Sequence, residues 1–423
     1  MKRIIALSPL LFFVALYLGV SLLAGDFYKM PISVAFLAAS VYAVAISVGM
    51  PLRKRITIFS KGAGGEGIMQ MLWIFILAGA FANTAKEMGC IEATVNLSMR
   101  MLPDSMLLAG LFLGSCFISL SIGTSVGTIA ALSPIAAGIA HSTGASVPMI
   151  TAVVVGGALF GDNLSFISDT TIAATSTQGC KQSDKFRVNS LIVIPVAIIV
   201  LLLYNYLGTS LYIPKTIAEV EYVKILPYIV VLLTAIIGMN VMAVLTLGLI
   251  LTGIIGLQTG SLDGYSWLQA MSQGISGMGE LIIVTVLAAG LLSIVAANGG
   301  IDLIIGMMTK RISQKRGAEL SIAMLVGVVN LCTANNTVAI LTVGGIARKV
   351  SEQFHIDSRK CASILDTVSC CVQGVIPYGA QLLIASGLAG VNPVSIVPYL
   401  YYPFILAAAT IIAILVRYPK RYS

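Results

Sequence analysis

Charge is what this sequence has least of. Asp, Glu, Lys and Arg together make up 10% of its 423 residues, against about 25% in a soluble domain. With 58% hydrophobic residues and a mean hydropathy of +0.98, a soluble globular fold is excluded and a polytopic membrane protein is left. Histidine is nearly absent: His141 and His355 both fall in expected loops, so there is no HExxH metalloprotease helix and no His-based hydrolase. There is no Walker A pattern, which excludes ATP-driven pumping within this chain. No nucleophile–base pair is found, so an enzyme is not expected, and no cofactor is called for. The seven cysteines (90, 116, 180, 332, 361, 370 and 371) form neither a CxxC pair nor a zinc spacing. Most lie in apolar runs and read as free core thiols. No Lys or Arg lies in the middle of an expected span, Lys86 and Arg348 being at ends. A carboxylate cargo would want such a cation or a half-helix N-terminus. The net charge of +8 does not point to nucleic acid, because the basic residues flank apolar runs and so report orientation in a lipid bilayer.

Apolar runs are abundant. They cover 1–23, 31–50, 68–85, 105–121, 125–140, 147–175 and 190–207, then 225–238, 241–257, 281–297, 321–332, 337–346, 362–386 and 394–416. This predicts about fourteen membrane segments, the shorter ones interrupted. The second set repeats the first. The 25 residues from Ile68 lie on those from Met278, with Gly89 on Gly299, an offset of 210. The polar GTSVGT (123–128) then falls on CTANNT (332–337), and the stretch 147–175 on 362–386, where Asp366 takes the place of Gly156. If the N-terminus is cytoplasmic, only Lys29, Lys86, Arg100, Lys215 and Lys224 of the 25 basic residues fall on the far side. The other twenty, Lys181, Lys185 and Arg187 among them, face the cytoplasm, as the positive-inside rule demands. An odd number of crossings per half then inverts the second half. The expected fold is therefore all-α, with two inverted-topology repeats (1–210 and 225–423) joined by a periplasmic linker (211–224). Broken or re-entrant helices meet near the midplane, and both termini are cytoplasmic.

The stretch 156–179 organises the rest. It holds Asp162 and Asp169 among Ser165, Ser168, Thr170, Thr171, Thr175 and Ser176. A charge at a membrane helix centre costs roughly 2.5–3.5 kcal/mol, so it persists where it pairs, titrates or binds an ion. Gly156, Gly157 and Gly161 are expected to let the backbone leave helical geometry beside Asp162. Asn163 and the hydroxyls complete an oxygen-rich set for a sodium ion held by Asp162 and Asp169, by extension of harder cations. Asp169 could instead cap a half-helix N-terminus, and Asp366 could be a hydrogen-bond hub. The polar crossings Thr124, Ser125, Thr128 and Thr333, Asn335, Asn336, Thr337 interrupt apolar hairpins. They either face each other near the midplane or hydrogen-bond between helices at about 0.6 kcal/mol each. Gln373, Tyr378 and Gln381 are placed to close the cavity from the second repeat, with a kink at Pro377 as the alternative.

GTSVGT (123–128), FGDNLSFISDTT (160–171) and DTVSCCVQGVIPYGA (366–380) resemble the paired motifs of the NhaC-type sodium/proton antiporter family, within the larger ion transporter superfamily. Val126, Asn163, Phe166 and Ile172 stand where that family often has Trp, Lys, Pro and Asn. The resemblance implies that Asp162, Ser165, Ser168, Asp169 and Thr170 lie on the ion path, in a bacterial cytoplasmic membrane. Desolvation favours the protonated form of a carboxylate, so proton and sodium would compete for one site, and alternating access would turn competition into exchange. The other expectation is a sodium- or proton-coupled carrier of a small organic solute, an amino acid or organic acid. A homodimer is left open.

Overall fold

The computed structural model describes residues 5–24, 30–47, 49–101, 106–122, 124–165, 168–209, 219–237, 239–303 and 314–422. Expectations resting on Lys2, Arg3, Lys29, Gly123, Phe166, Lys310, Arg311 and residues 211–218 of the linker lie outside the described residues.

The regular structure of the described residues is entirely helical. The first half runs α1 (Ser8–Ala24), α2 (Ile32–Ile46), α3 (Leu52–Ala63), α4 (Glu66–Glu87), α5 (Cys90–Met101), α6 (Leu107–Ile122), α7 (Ser125–Thr143), α8 (Val147–Leu164), α9 (Asp169–Gln178) and α10 (Gln182–Gly208). The second runs α11 (Tyr222–Ile236), α12 (Val241–Thr259), α13 (Gly264–Gly277), α14 (Gly279–Ala297), α15 (Lys315–Thr333), α16 (Asn336–Gln353), α17 (Ser358–Val375), α18 (Ala380–Ala389), α19 (Pro393–Ile396) and α20 (Tyr401–Leu415). Among the described residues, eight helical segments are long and apolar enough to cross a bilayer, up to nine when the bent stretch Pro393–Tyr399 plus Tyr401–Leu415 is one span. The others are short. The run 337–346 belongs to α16, whose second half carries Arg348, Lys349 and Glu352.

Three helices, α3, α5 and α13, were not expected, because none is apolar throughout. They lie in stretches that read as loops. Arg53 and Lys54 of α3 face outward, while Arg55 donates to the carbonyls of Val44 (2.8 Å), Ala45 (3.1 Å) and Met50 (2.7 Å) around the end of α2. That satisfies carbonyls a helix end leaves open. α13 opens with a capping box, Ser266 N–H to Asp263 at 2.6 Å and Asp263 N–H to Ser266 at 2.8 Å.

The helix order recurs, and so does the packing. α3 and α2 pack on α14 as α13 and α12 pack on α4; α9 packs on α16 as α18 packs on α7. Equivalent helices of the two halves thus make equivalent contacts. Small residues make the close crossings: a Cβ on Gly79 would strike the backbone of Gly274, and a Cβ on Gly274 that of Gly79. The glycines beside Asp162 serve the same end, correcting the expectation that they unwind the backbone. α8 is regular through Leu164. A Cβ on Gly161 would fall inside Ser119, and one on Gly157 would meet Ser115 and the carbonyl of Phe112, so both glycines seat α8 on α6.

Candidate functional site

The helix break comes after the acid. α8 ends at Leu164 and α9 restarts at Asp169, behind an N-cap in which Ser168 accepts the Thr171 N–H at 3.3 Å. An unwound backbone inside a membrane protein must find its hydrogen bonds within the protein, and the hydroxyls supply them. The Asp162 carbonyl accepts from Ser168 Oγ (2.9 Å) and Thr170 Oγ1 (3.4 Å). The Ser165 carbonyl accepts from Thr171 Oγ1 (2.8 Å), and Ser165 Oγ donates to the Leu120 carbonyl (3.3 Å). The second half also breaks, between Val375 and Ala380, where Pro377 disfavours helical geometry at the preceding Ile376.

The turns of α6–α7 and α15–α16 stop at the level of these breaks. Their N-cap residues have nearly the same backbone, φ −146°, ψ 126° at Thr124 and φ −147°, ψ 114° at Asn335. From the tips onward the repeat is therefore offset by 211 residues, not 210 for the broken helix or the 332–337 pairing for the tip. Asn336 matches Ser125, Gln373 matches Asp162, Gln381 matches Thr170, Ala380 matches Asp169, and Asp366 matches Val155 rather than Gly156.

Asp162 is buried, 5% exposed. One carboxylate oxygen accepts the Ser125 N–H at 2.9 Å, the other the Ser125 hydroxyl. That hydroxyl accepts from Gln381 Nε2 (3.1 Å), and Gln381 Oε1 accepts from Gln373 Nε2 (2.8 Å), which also donates to the Ala334 carbonyl (3.0 Å). One hydrogen-bonded line thus runs from the acid of the first half to the hairpin tip of the second.

This line borders a cavity of about 300 Å³. Of the residues the sequence singles out, Asp162, Asp169, Thr170, Thr124, Ser125, Asn335, Asn336, Thr337, Gln373 and Gln381 line it. Asp169 is exposed to it, in the first turn of α9, where a carboxylate complements the helix dipole.

The remaining residues are elsewhere. Asn163 donates to the Leu159 carbonyl (2.9 Å) and to Tyr402 Oη (3.3 Å), facing α20. Thr128 donates to the Thr124 carbonyl and Thr333 to that of Asn335, each at 3.1 Å, shaping their own tips. Tyr378 donates to the Leu331 carbonyl at 2.8 Å and lies edge-on to Phe13 and Phe36. Asp366, fully buried, pairs with Lys185 at 2.8 Å and accepts from Asn189 Nδ2 at 2.9 Å.

Lys185 corrects the sequence reading most sharply. The sequence places it on a cytoplasmic loop, with no Lys or Arg in the middle of a span. Its side chain is 1% exposed, and its ammonium meets the Asn163 carbonyl (2.8 Å), Thr171 Oγ1 (2.6 Å) and Asp366. It sits in the first turn of a helix that begins among Lys181, Gln182 and Asp184, and nothing in that polar run marks one residue as turned inward. Gln70, Met71 and Ile74 of α4, which form one wall of the cavity, were missed as well; only Gln70, polar in an apolar run, gave a signal. His141 lies in the last turn of α7 rather than in a loop. All seven cysteines are free and all but Cys180 are buried.

The sequence profile of the Na+/H+ antiporter family matches residues 3–209 and again 207–419, once on each half. Among curated relatives, the Na(+)/H(+) antiporter NhaC of Bacillus subtilis (strain 168) is 24% identical over 399 residues, covering 85% of each chain. The Malate-2H(+)/Na(+)-lactate antiporter of the same strain is 21% identical over 377 residues, covering 81% of this chain and 80% of that one. The Arginine/ornithine antiporter ArcD of Halobacterium salinarum is 22% identical over 400 residues, covering 83% and 80%.

Proposed function

Because this chain belongs to the Na+/H+ antiporter family, a family of membrane transporters and not of enzymes, we propose that it exchanges sodium for protons by alternating access, with Asp162 as the group the two cations share. The observation that carries this reading is the Asp162 carboxylate itself, oriented by Ser125 in the wall of a cavity that both hairpin tips and both helix breaks reach. A carboxylate there holds a proton or a sodium ion. Side-chain oxygens of Thr124, Ser125, Asn335 and Gln381 are the hard donors such an ion takes, and Asp169 on the cavity wall draws cations toward it. The positive-inside bias, with an odd number of crossings per half, supports a two-fold axis in the membrane plane and cytoplasmic termini. The cavity reaches Gly67 and Gln70 at the start of α4, beside basic α3, and so opens toward the cytoplasm, which is here the interior of a bacterium.

The test is exchange in proteoliposomes. Sodium added on one side dissipates a preset pH gradient in the wild type, and Asp162→Asn abolishes this. Wild-type rates from Asp162→Asn would end the reading. A second reading, an organic solute moved in exchange for sodium or protons, is favoured by one observation. The cavity, at about 300 Å³, is far larger than a bare monovalent ion and meets the lower bound of small-molecule sites; the relatives named for malate, lactate, arginine and ornithine agree with it. Proton release on adding sodium alone supports the first reading. Release that also requires an amino acid or a carboxylic acid supports the second.

A further inference from the structure

The exchange reading makes no use of Lys185, yet the protein invests a buried charge pair in it. The three atoms its ammonium meets are a carbonyl (Asn163), a hydroxyl (Thr171) and a carboxylate (Asp366), at 2.8, 2.6 and 2.8 Å. These are the oxygen types that bind hard cations. Asn189 joins two of them, donating to the Asn163 carbonyl and to Asp366, each at 2.9 Å. Two further acceptors in the cluster, the side-chain oxygens of Asn163 and Asn189, are buried without a hydrogen-bond donor. The fold does not require a charge here. At the matching places in the second half, offset by 211, stand Ile396 and Leu400, both fully buried in apolar packing. A buried ion pair is rarely the most stable filling for such a place.

We propose that Lys185 is a tethered cation, occupying a second monovalent-cation site formed by Asn163, Thr171 and Asp366 at the break of the first half. The mobile ion then binds at Asp162 alone, and removing the lysine opens the second site to sodium. The role in transport rests on the exchange reading; the binding does not, and the test separates them.

The test compares sodium chloride with choline chloride at equal ionic strength, reading the thermal unfolding midpoint of purified protein. In an Asp162→Asn background, Lys185→Ala is expected to introduce a sodium-specific rise of about a few degrees at salt well above the dissociation constant. Adding Asp366→Asn is expected to remove it. Absence of the rise, or its persistence after Asp366→Asn, overturns the proposal. If Asp162→Asn/Lys185→Ala folds only in sodium, the proposal stands; if it folds in neither salt while the triple variant folds, the proposal fails. A sodium response in Asp162→Asn alone would refute the role of Asp162 and leave the Lys185 comparison readable. Independently, equilibrium binding of radioactive sodium should rise from about one ion per chain in the wild type to about two in Lys185→Ala. Equal counts in the two proteins overturn it.

Discussion

Ser125→Ala probes the point where the two halves and the acid meet. The substitution keeps the backbone N–H that holds one oxygen of Asp162 at 2.9 Å and deletes the hydroxyl that holds the other. A hydrogen bond to a charged group contributes about 1.5–3 kcal/mol, and each 1.4 kcal/mol is a factor of ten, giving on the order of 10- to 100-fold. The lower end is expected, because Gln381 Nε2, which donates to the lost hydroxyl at 3.1 Å, can swing toward the carboxylate and recover part of the bond. The apparent KM for sodium should thus rise about tenfold. The assay is the sodium dependence of pH-gradient dissipation in proteoliposomes, with the thermal midpoint as a control for folding. An unchanged KM in folded Ser125→Ala would refute the argument that this carboxylate, so held, is where the ion binds.

Gly161→Ala should destabilise the protein by about 1–3 kcal/mol through overpacking against Ser119, and adding Ser119→Gly should recover most of that in thermal unfolding. Lys360 and Glu319 form a buried pair at 3.1 Å, 3% and 1% exposed. Lys360→Met alone should cost about 3–5 kcal/mol, and Lys360→Met with Glu319→Leu clearly less, read as a double-mutant cycle. Asp357, outside the membrane segments, is held below the usual carboxylate range, first by its hydrogen bond to Arg359 (2.6 Å). A carboxyl depressed in the folded state stabilises at pH values above the unfolded pKa of about 3.9 and loses that contribution as pH falls through its folded value. Asp357→Asn should therefore lower stability at pH 7, by less than about 1 kcal/mol for a solvent-screened pair, and the difference in thermal midpoint from the wild type should shrink as pH falls below about 4.

Membrane class, helix order and the repeat were legible because they rest on long apolar runs and on letters that recur. Asp162 was legible because an acid among apolar residues has few reasons to be there. What the sequence hid depended on direction and distance. Amphipathic α3 and polar α13 carry no continuous apolar signal, and the glycines of α8 read equally as flexible or as close-packed until Ser119 is seen against Gly161. Ser165, Ser168, Thr170 and Thr171 looked like ion ligands by type, yet their bonds go to backbone carbonyls, to one another and to Lys185. The inward reach of Lys185 and the one-residue change of register at the tips follow from packing alone.

Three main-chain oxygens beside the first break are already occupied. The carbonyls of Asp162, Asn163 and Ser165 all accept from hydroxyl, amide or ammonium groups of the chain itself. These backbone groups therefore need no cargo, and what the protein grips is left to replaceable side chains around the void. Such an architecture can trade one passenger for another by point substitution while its framework is inherited unchanged.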